Sequence, residues 1–501
     1  MSPPDGFPNL DLVSAGDRAE SGRLAEAIDR LLPQLEEFVR FEDPNHAARE
    51  RERWTATVDV PLPTQGAGLD AVVDELASLI PSGVSNGAPG FSGFVTTGPT
   101  TSGVAAGLAA TVAGSQRWFV QPFNLLETIA LRWLAELLGL PTGVQGVFTS
   151  GGSVANLLAL GAARQHAFER VGVDPARDGL PTGARWRVYA SSEVHHAVTR
   201  SCGVLGLGRE AVAALPVDAE QRLDVASLDA ALKNDAAAGV LPVAIVATAG
   251  TVSTGAIDPV AEVARLATAH GIWLHVDGAY GLFGVLDPEL APLYEGLERA
   301  DSWVVDPHKW LATPVGCGAV FVRDRELLGR AFTMEEAEYL EGAVGGAEIT
   351  STFDDFGELF HNFHVEQSAP SRGVLVWAVL REIGAEGIRE RVIRDNGFAR
   401  HLADLVEAHP ELELLRRPTL SICCFRYRPE GRDEDGLDGL NEAILRRLRA
   451  EGRFFPSSAR VGGAYAIRPC YINPRTTVAD VDGLADAVVA AGRVLTAAVT
   501  A

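Results

Sequence analysis

The chain has 501 residues, of which 47% are hydrophobic and 22% charged, enough apolar material for one large core and a smaller one and too much for a disordered chain. Its net charge of -23 opposes phosphate backbones and anionic lipid, and its longest apolar stretch, around Val104 to Gly114, is too short and too rich in Gly and Ala to span a bilayer. Five cysteines without a CxxC pair suit reduced thiols, with Cys423 and Cys424 as core residues, and the start Met-Ser-Pro-Pro-Asp-Gly lacks a secretion signal, so a cytoplasmic protein is expected.

Three parts follow in chain order. Residues 1–90 are polar and helical in character, with Leu24, Ala27, Ile28, Leu31 and Leu35 at helical spacing, and end in a Gly/Pro/Ser-rich run over 81–90. From 91 to 375, apolar strands recur between amphipathic helices: Val144–Phe148, Arg187–Ala190, Val243–Thr248, Trp273–Val276, Ser302–Val305 and Ala319–Val322. That alternation predicts an α/β fold with a largely parallel sheet covered on both faces. Residues 376–501 read as a smaller α+β unit, in which an acidic, Gly-rich loop (430–439) precedes a helix over Leu440–Ala450. There is no internal repeat.

The candidate chemistry lies where the strands end, the usual place for ligands in open α/β sheets. Thr149-Ser150-Gly151-Gly152-Ser153 joins a strand to a helix, and its glycines and free N–H groups favour an anion such as a phosphate over the other reading, a plain turn. It lacks the lysine of a P-loop and the spacing of a dinucleotide fingerprint. Trp-Leu-His-Val-Asp-Gly-Ala-Tyr (273–280) sets Asp277 at a strand end, where a carboxylate can pair with a pyridinium nitrogen, cap a helix, or bind a metal together with His275 on the same strand face. His195 and His196 follow another strand, and an imidazole there can stack on an aromatic ring or serve structure alone. Lysine occurs only twice, at Lys233 and Lys309, while arginine is abundant. Lys233 lies in a polar stretch; Lys309 lies in Val-Asp-Pro-His-Lys-Trp (305–310) and is a candidate for amine chemistry that a guanidinium cannot perform. A Schiff-base lysine, an anion turn, a carboxylate for a ring nitrogen and a stacking histidine together describe a site for pyridoxal 5'-phosphate.

The order Thr-Ser-Gly-Gly-Ser-Val-Ala-Asn, Glu-Val-His-His-Ala-Val, Ala-Thr-Ala-Gly-Thr-Val-Ser-Thr-Gly-Ala-Ile-Asp-Pro (247–259), His-Val-Asp-Gly-Ala-Tyr-Gly and Asp-Pro-His-Lys-Trp resembles the group II pyridoxal-phosphate-dependent amino-acid decarboxylases, which include the aromatic-L-amino-acid, glutamate and diaminobutyrate enzymes. The likeness runs from about Gly90 to Arg-Pro-Cys-Tyr-Ile-Asn-Pro-Arg-Thr-Thr (468–477). It implies fold type I, of the aspartate-aminotransferase kind, with a large mixed, mostly parallel sheet domain (91–375), a smaller C-terminal α+β domain (376–501), and residues 1–90 as a dimerisation segment of a homodimer with each site at the interface. By the same resemblance Lys309 would hold the cofactor as a Schiff base, Asp277 would bind its ring nitrogen and His195 would stack on the ring. Ser150, Gly151, Gly152 and Ser153 would hold the phosphate, and Thr251, Ala279, Asp306 and His308 would complete the cofactor site. Thr96 in Gly-Phe-Val-Thr-Thr-Gly and Phe360 would lie near the substrate, an L-amino acid losing CO2 to give an amine.

Three departures from the family pattern stand out. Asp306 occupies a position where the family often has Asn, adding negative charge beside the Schiff base. Ser-Ala-Pro-Ser-Arg-Gly-Val-Leu-Val-Trp (368–377) matches the family's Arg-rich segment only at Arg372 and Trp377. An ungapped alignment sets Phe360 where aromatic decarboxylases carry a proton-donating loop tyrosine. If nothing else protonates Cα (His361, His364 and Tyr339 are the other candidates), dioxygen can intercept the carbanion and give an aldehyde. Trp118, Phe119 and Phe123 form either a substrate pocket or plain core. An aminotransferase or carbon-carbon lyase on the same fold, and a silent cofactor-binding protein, are the competing classes; CO2 and amine release separates the decarboxylase from both.

Overall fold

The computed structural model describes residues 23–40, 55, 58–114, 120–333 and 357–500, and among these the strands form one seven-stranded and one five-stranded sheet. Strand β1 (Phe91–Ser92) belongs to the smaller sheet. Strands β2 (Gln145–Thr149), β3 (Trp186–Ser191), β4 (Val212–Leu215), β5 (Leu241–Thr248), β6 (Trp273–Asp277), β7 (Ser302–Val305) and β8 (Gly318–Val322) build the larger one in the spatial order β2-β8-β7-β6-β5-β3-β4. Pairs β7–β6, β6–β5, β5–β3 and β3–β4 are parallel, and β8 runs antiparallel to both neighbours. The large mixed, mostly parallel sheet expected of fold type I is therefore present. Its central strands read as continuous apolar runs because both faces are buried; every residue of β6, β7 and β8 is buried.

Each expected strand forms, with no end shifted by more than two residues, and β4 is an additional one. Val-Ala-Ala-Leu gives too short and too weak an apolar run to stand out, and β4 exists because β3 offers it a parallel edge. Since β2 and β7 are both antiparallel to β8, the C-terminal ends of β2, β3, β5, β6 and β7 share one edge of the sheet.

The smaller sheet has the order β1-β11-β12-β10-β9, with β9 (Leu412–Arg416), β10 (Cys424–Tyr427), β11 (Phe455–Val461) and β12 (Ala464–Arg468). β1 pairs in parallel with β11, and Phe91 stacks on Phe455 with ring centroids 5.5 Å apart. The start of the large segment is thereby stitched to the C-terminal unit, close to the strand-end edge. The helix after β10 begins at Glu434, not at Leu440: the Asp433 carboxylate accepts from the Gly436 N–H, and the acidic residues read as loop sit in the first turn, where the helix dipole favours them. Its apolar face packs Ile444 and Leu448 against Phe425 and Ile467.

Candidate active site

The shared strand ends enclose a cavity of about 320 Å³, of the size that small ligands fill. Ser150, Gly151, Gly152, Ser153, His195, Asp277, Ala279, Asp306, His308 and Lys309 all line it, although they come from four separate segments of the chain. Thr251 does not: it is fully buried behind Gly250, accepting from the Ala256 N–H and sharing a hydrogen bond with Thr254, so it shapes the turn whose neighbours Gly250 and Val252 face the cavity. Thr96 is half-buried after β1 and is not among the lining residues. Phe360 is buried in a different place, lining a second cavity with Phe321, Arg325 and Glu358.

At the end of β2 the chain turns through Gly151, whose φ of 135° suits only glycine, into the helix Gly152–Glu169. No side chain caps that helix, so its first N–H groups remain available to an anion. Gly152 is required by space: a Cβ there would lie 2.9 Å from an Asp306 carboxylate oxygen and 3.1 Å from Ala279 Cβ.

Asp277 ends β6 opposite Thr248 of β5. Its Oδ1 accepts from the Ala279 N–H at 3.2 Å and its Oδ2 from Asn156 Nδ2 at 3.3 Å. Asn156, one helical turn after Gly152, also donates to the Gly152 carbonyl at 2.8 Å. With both amide donations directed at acceptors, Asn156 Oδ1 must accept, and the His275 Nε2–H supplies the bond at 2.9 Å. His275 Nδ1 then accepts from the Ser302 hydroxyl at 2.9 Å, and that hydroxyl accepts from the Trp273 indole N–H at 2.9 Å. One directional chain therefore runs from Trp273 to the Asp277 carboxylate. Complete burial pushes the His275 imidazole down to about 4, so it stays neutral and keeps this tautomer. Both His275 nitrogens are used, so the metal pair with Asp277 considered from the strand pattern does not form.

His195 caps the helix His196–Val204: its Nδ1 accepts from the Ala197 N–H at 3.2 Å, leaving Nε2 to carry the ring proton. Burial, reinforced by His196 and Lys309 and only partly opposed by Asp277, holds its imidazole below the usual range and so neutral. His308 donates through Nδ1 to the Cys317 carbonyl at 2.7 Å. Lys309, in the turn after β7, reaches Asp306 with Nζ 3.0 Å from Oδ2, whereas Lys233 is two-thirds exposed and pairs with Asp229 on the surface. Arg372 is buried, bonded to Glu366 at 2.8 Å and to the Gly316 carbonyl at 3.0 Å, and Trp377 packs on the core. His364 is buried and accepts from the Glu366 N–H; Phe123 is half-buried; Trp118, Phe119 and Tyr339 lie outside the described residues.

Asn156, Thr248, Gly250, Val252, Tyr280 and Val315 also line the cavity and were not singled out from the sequence. Only Asn156 had a usable signal, its place one turn beyond the anion turn. The residues present fit pyridoxal phosphate: an amine and a carboxylate flank a cleft whose anion end is cleared by Gly152, and a neutral imidazole sits beside them.

A family model for the pyridoxal-dependent decarboxylase conserved domain matches residues 52–428. The chain is 32% identical to the aromatic-L-amino-acid decarboxylase of Bacillus atrophaeus over 357 residues, 70% of each chain. It is 31% identical to tryptophan decarboxylase 1 of Oryza sativa subsp. japonica over 428 residues, 81% of each chain. A solved structure of Oryza sativa TDC with PLP and tryptamine superposes with a TM-score of 0.85 at 25% identity, covering 98% of this chain and 100% of that one. With the family model spanning most of its length, the chain belongs to the pyridoxal-dependent decarboxylases and is an amino-acid carboxy-lyase whose cofactor is pyridoxal 5'-phosphate.

Proposed function

We propose that the chain decarboxylates an aromatic L-amino acid to its amine in the cavity around Lys309. The observation that carries this reading is the convergence of Lys309, the less exposed of the chain's two lysines, with Asp277, His195 and the uncapped helix turn on a single cleft. Lys309 Nζ is the amine that would hold the cofactor. The Asp277 carboxylate, steered by Asn156, would pair with its ring nitrogen, His195 would stack on the ring, and Ser150 to Ser153 would hold the phosphate at the helix start. When bound, pyridoxal phosphate supplies the electron sink that makes loss of CO2 from Cα feasible. The neutral His195 keeps the cleft from gaining a competing positive charge.

The aromatic preference rests on two supports. The similar proteins named above act on aromatic amino acids, and Val252 and Val315 give the cavity apolar lining; Arg468, bonded to the Phe94 and Val252 carbonyls, ties the backbone after β1 to that of Val252. Each of the twenty amino acids, DOPA and diaminobutyrate should be incubated with the loaded enzyme while CO2 and amine are measured. Aromatic substrates should lead; turnover of glutamate or diaminobutyrate with none of an aromatic would refute the preference.

A homodimer follows from the same reading, with residues 1–90 as its arm and the units 91–375 and 376–501 forming the body of each subunit. Its support is apolar surface that one chain leaves uncovered: Val104, Leu108 and Val112, four apart on the helix Thr101–Ala113, and Leu24, Leu32, Leu35 and Val39 on the helix Leu24–Arg40, none of whose residues is buried. A cytoplasmic location is supported by five buried, free cysteines, as a reducing compartment allows. No described helix is long and apolar enough to cross a membrane.

A further inference from the structure

The Asp306 carboxylate sits in a position that should be costly. It is 2% exposed, its Oδ1 has no hydrogen-bond partner, and backbone crowds it on two sides: a Cβ at Gly318 would lie 2.6 Å from Oδ1, and one at Gly152 2.9 Å from Oδ2. A buried carboxylate without compensation is strongly destabilising. The charged groups in contact with it are Lys309, with Nζ 3.0 Å from Oδ2, and His308, with Nε2 3.7 Å from the same oxygen; His195 and the Cys317 thiol feel its charge from farther away. Since His308 already donates its other nitrogen to Cys317, the short contact that offsets the charge is the lysine.

We infer that Asp306 is the resting partner of Lys309: it holds the amine as an ammonium whenever the amine is not joined to the cofactor, both before loading and after a substrate amine has taken its place. This rests on Lys309 being the cofactor lysine and adds a positioning residue to it. The ion pair keeps the released side chain inside the cleft and poised to return, and it lowers the nucleophilicity of the free amine, because the amine must shed a proton to solvent before it can attack. An amide at this position would accept a hydrogen bond from the amine without holding its charge.

Possession of only two lysines makes the idea directly measurable, with Lys233 as an internal control in every sample. The full-length enzyme, freed of cofactor with hydroxylamine, is pulsed with acetic anhydride near pH 8, and the acetylation of each lysine is read by peptide mass spectrometry. Burial slows Lys309 in every variant, so the informative quantity is the change in the Lys309 to Lys233 ratio. Asp306→Asn should raise that ratio about tenfold, the factor that about 1.4 kcal/mol of charge stabilisation represents. A second reading covers the case in which Asp306→Asn does not fold alone. Lys309→Ala should lower the melting temperature of the cofactor-free chain by stranding the carboxylate, and adding Asp306→Asn should recover most of that loss. An unchanged acetylation ratio, or melting shifts that simply add, would overturn the assignment. Neither readout requires turnover, so failure here is distinct from failure of Lys309 to carry the cofactor.

Discussion

Asn156→Ala tests whether the chain from Trp273 to Asp277 sets the cofactor site. The substitution removes the acceptor of the His275 Nε2–H and one of the two donors to Asp277, both in buried surroundings. Each buried polar group left without a partner costs about 1–3 kcal/mol, so the fold loses roughly 2–6 kcal/mol before any relaxation. The share falling on Asp277 is felt by the cofactor, because a carboxylate held at one oxygen alone is less well aimed at a ring nitrogen; about 1.4 kcal/mol there weakens binding roughly tenfold. Apoenzyme would be titrated with pyridoxal phosphate and followed by quenching of tryptophan fluorescence, alongside urea unfolding. Ser302→Ala, two links further away, should give the same effects in weaker form. A cofactor affinity within twofold of wild type in Asn156→Ala would refute the proposed role of the chain.

His275 makes a pH prediction. Its folded value of about 4 lies below the unfolded value of about 6.5, so the unfolded chain takes up a proton that the folded one refuses. Stability owed to this group is intact above about pH 6.5 and falls by roughly 3 kcal/mol by pH 4; urea midpoints measured across that range should show the slope in wild type and a flatter one in His275→Asn. Phe360→Tyr should leave the yield of amine per CO2 as in wild type, since Phe360 is buried away from the Lys309 cavity; a marked change in that yield in air would restore it as a determinant of the product. Amine should match CO2 one for one in air and under nitrogen, and aldehyde with stoichiometric peroxide in air would contradict simple decarboxylation.

Much of the site could be read from residues alone because its members stand at strand ends next to unusual neighbours. Lys309 is visible through the scarcity of lysine, Asp277 through its place after an apolar strand, and the Ser150–Ser153 turn through its glycines. What could not be read depends on contacts across the sheet. Asn156 meets His275 over a separation of 119 residues, and no local pattern reports that pairing. β4 is stabilised by its neighbour more than by its own composition, and the helix at Glu434 depends on a cap that an acidic, Gly-rich stretch disguises. Phe360 was carried by an ungapped alignment across a loop, where sequence spacing says little about position in space. Asp306 was visible as a departure, but its partner and its unpaired oxygen appear only in three dimensions.

The central claim is that Lys309 carries the cofactor, and its most direct measurement is borohydride reduction of the loaded enzyme followed by peptide mapping. The reduced cofactor should appear on the peptide containing Lys309 and be absent from that containing Lys233; Lys309→Ala should lose the adduct and several orders of magnitude in turnover, while Lys233→Ala loses neither. An adduct on Lys233, or one that survives in Lys309→Ala, would contradict the account.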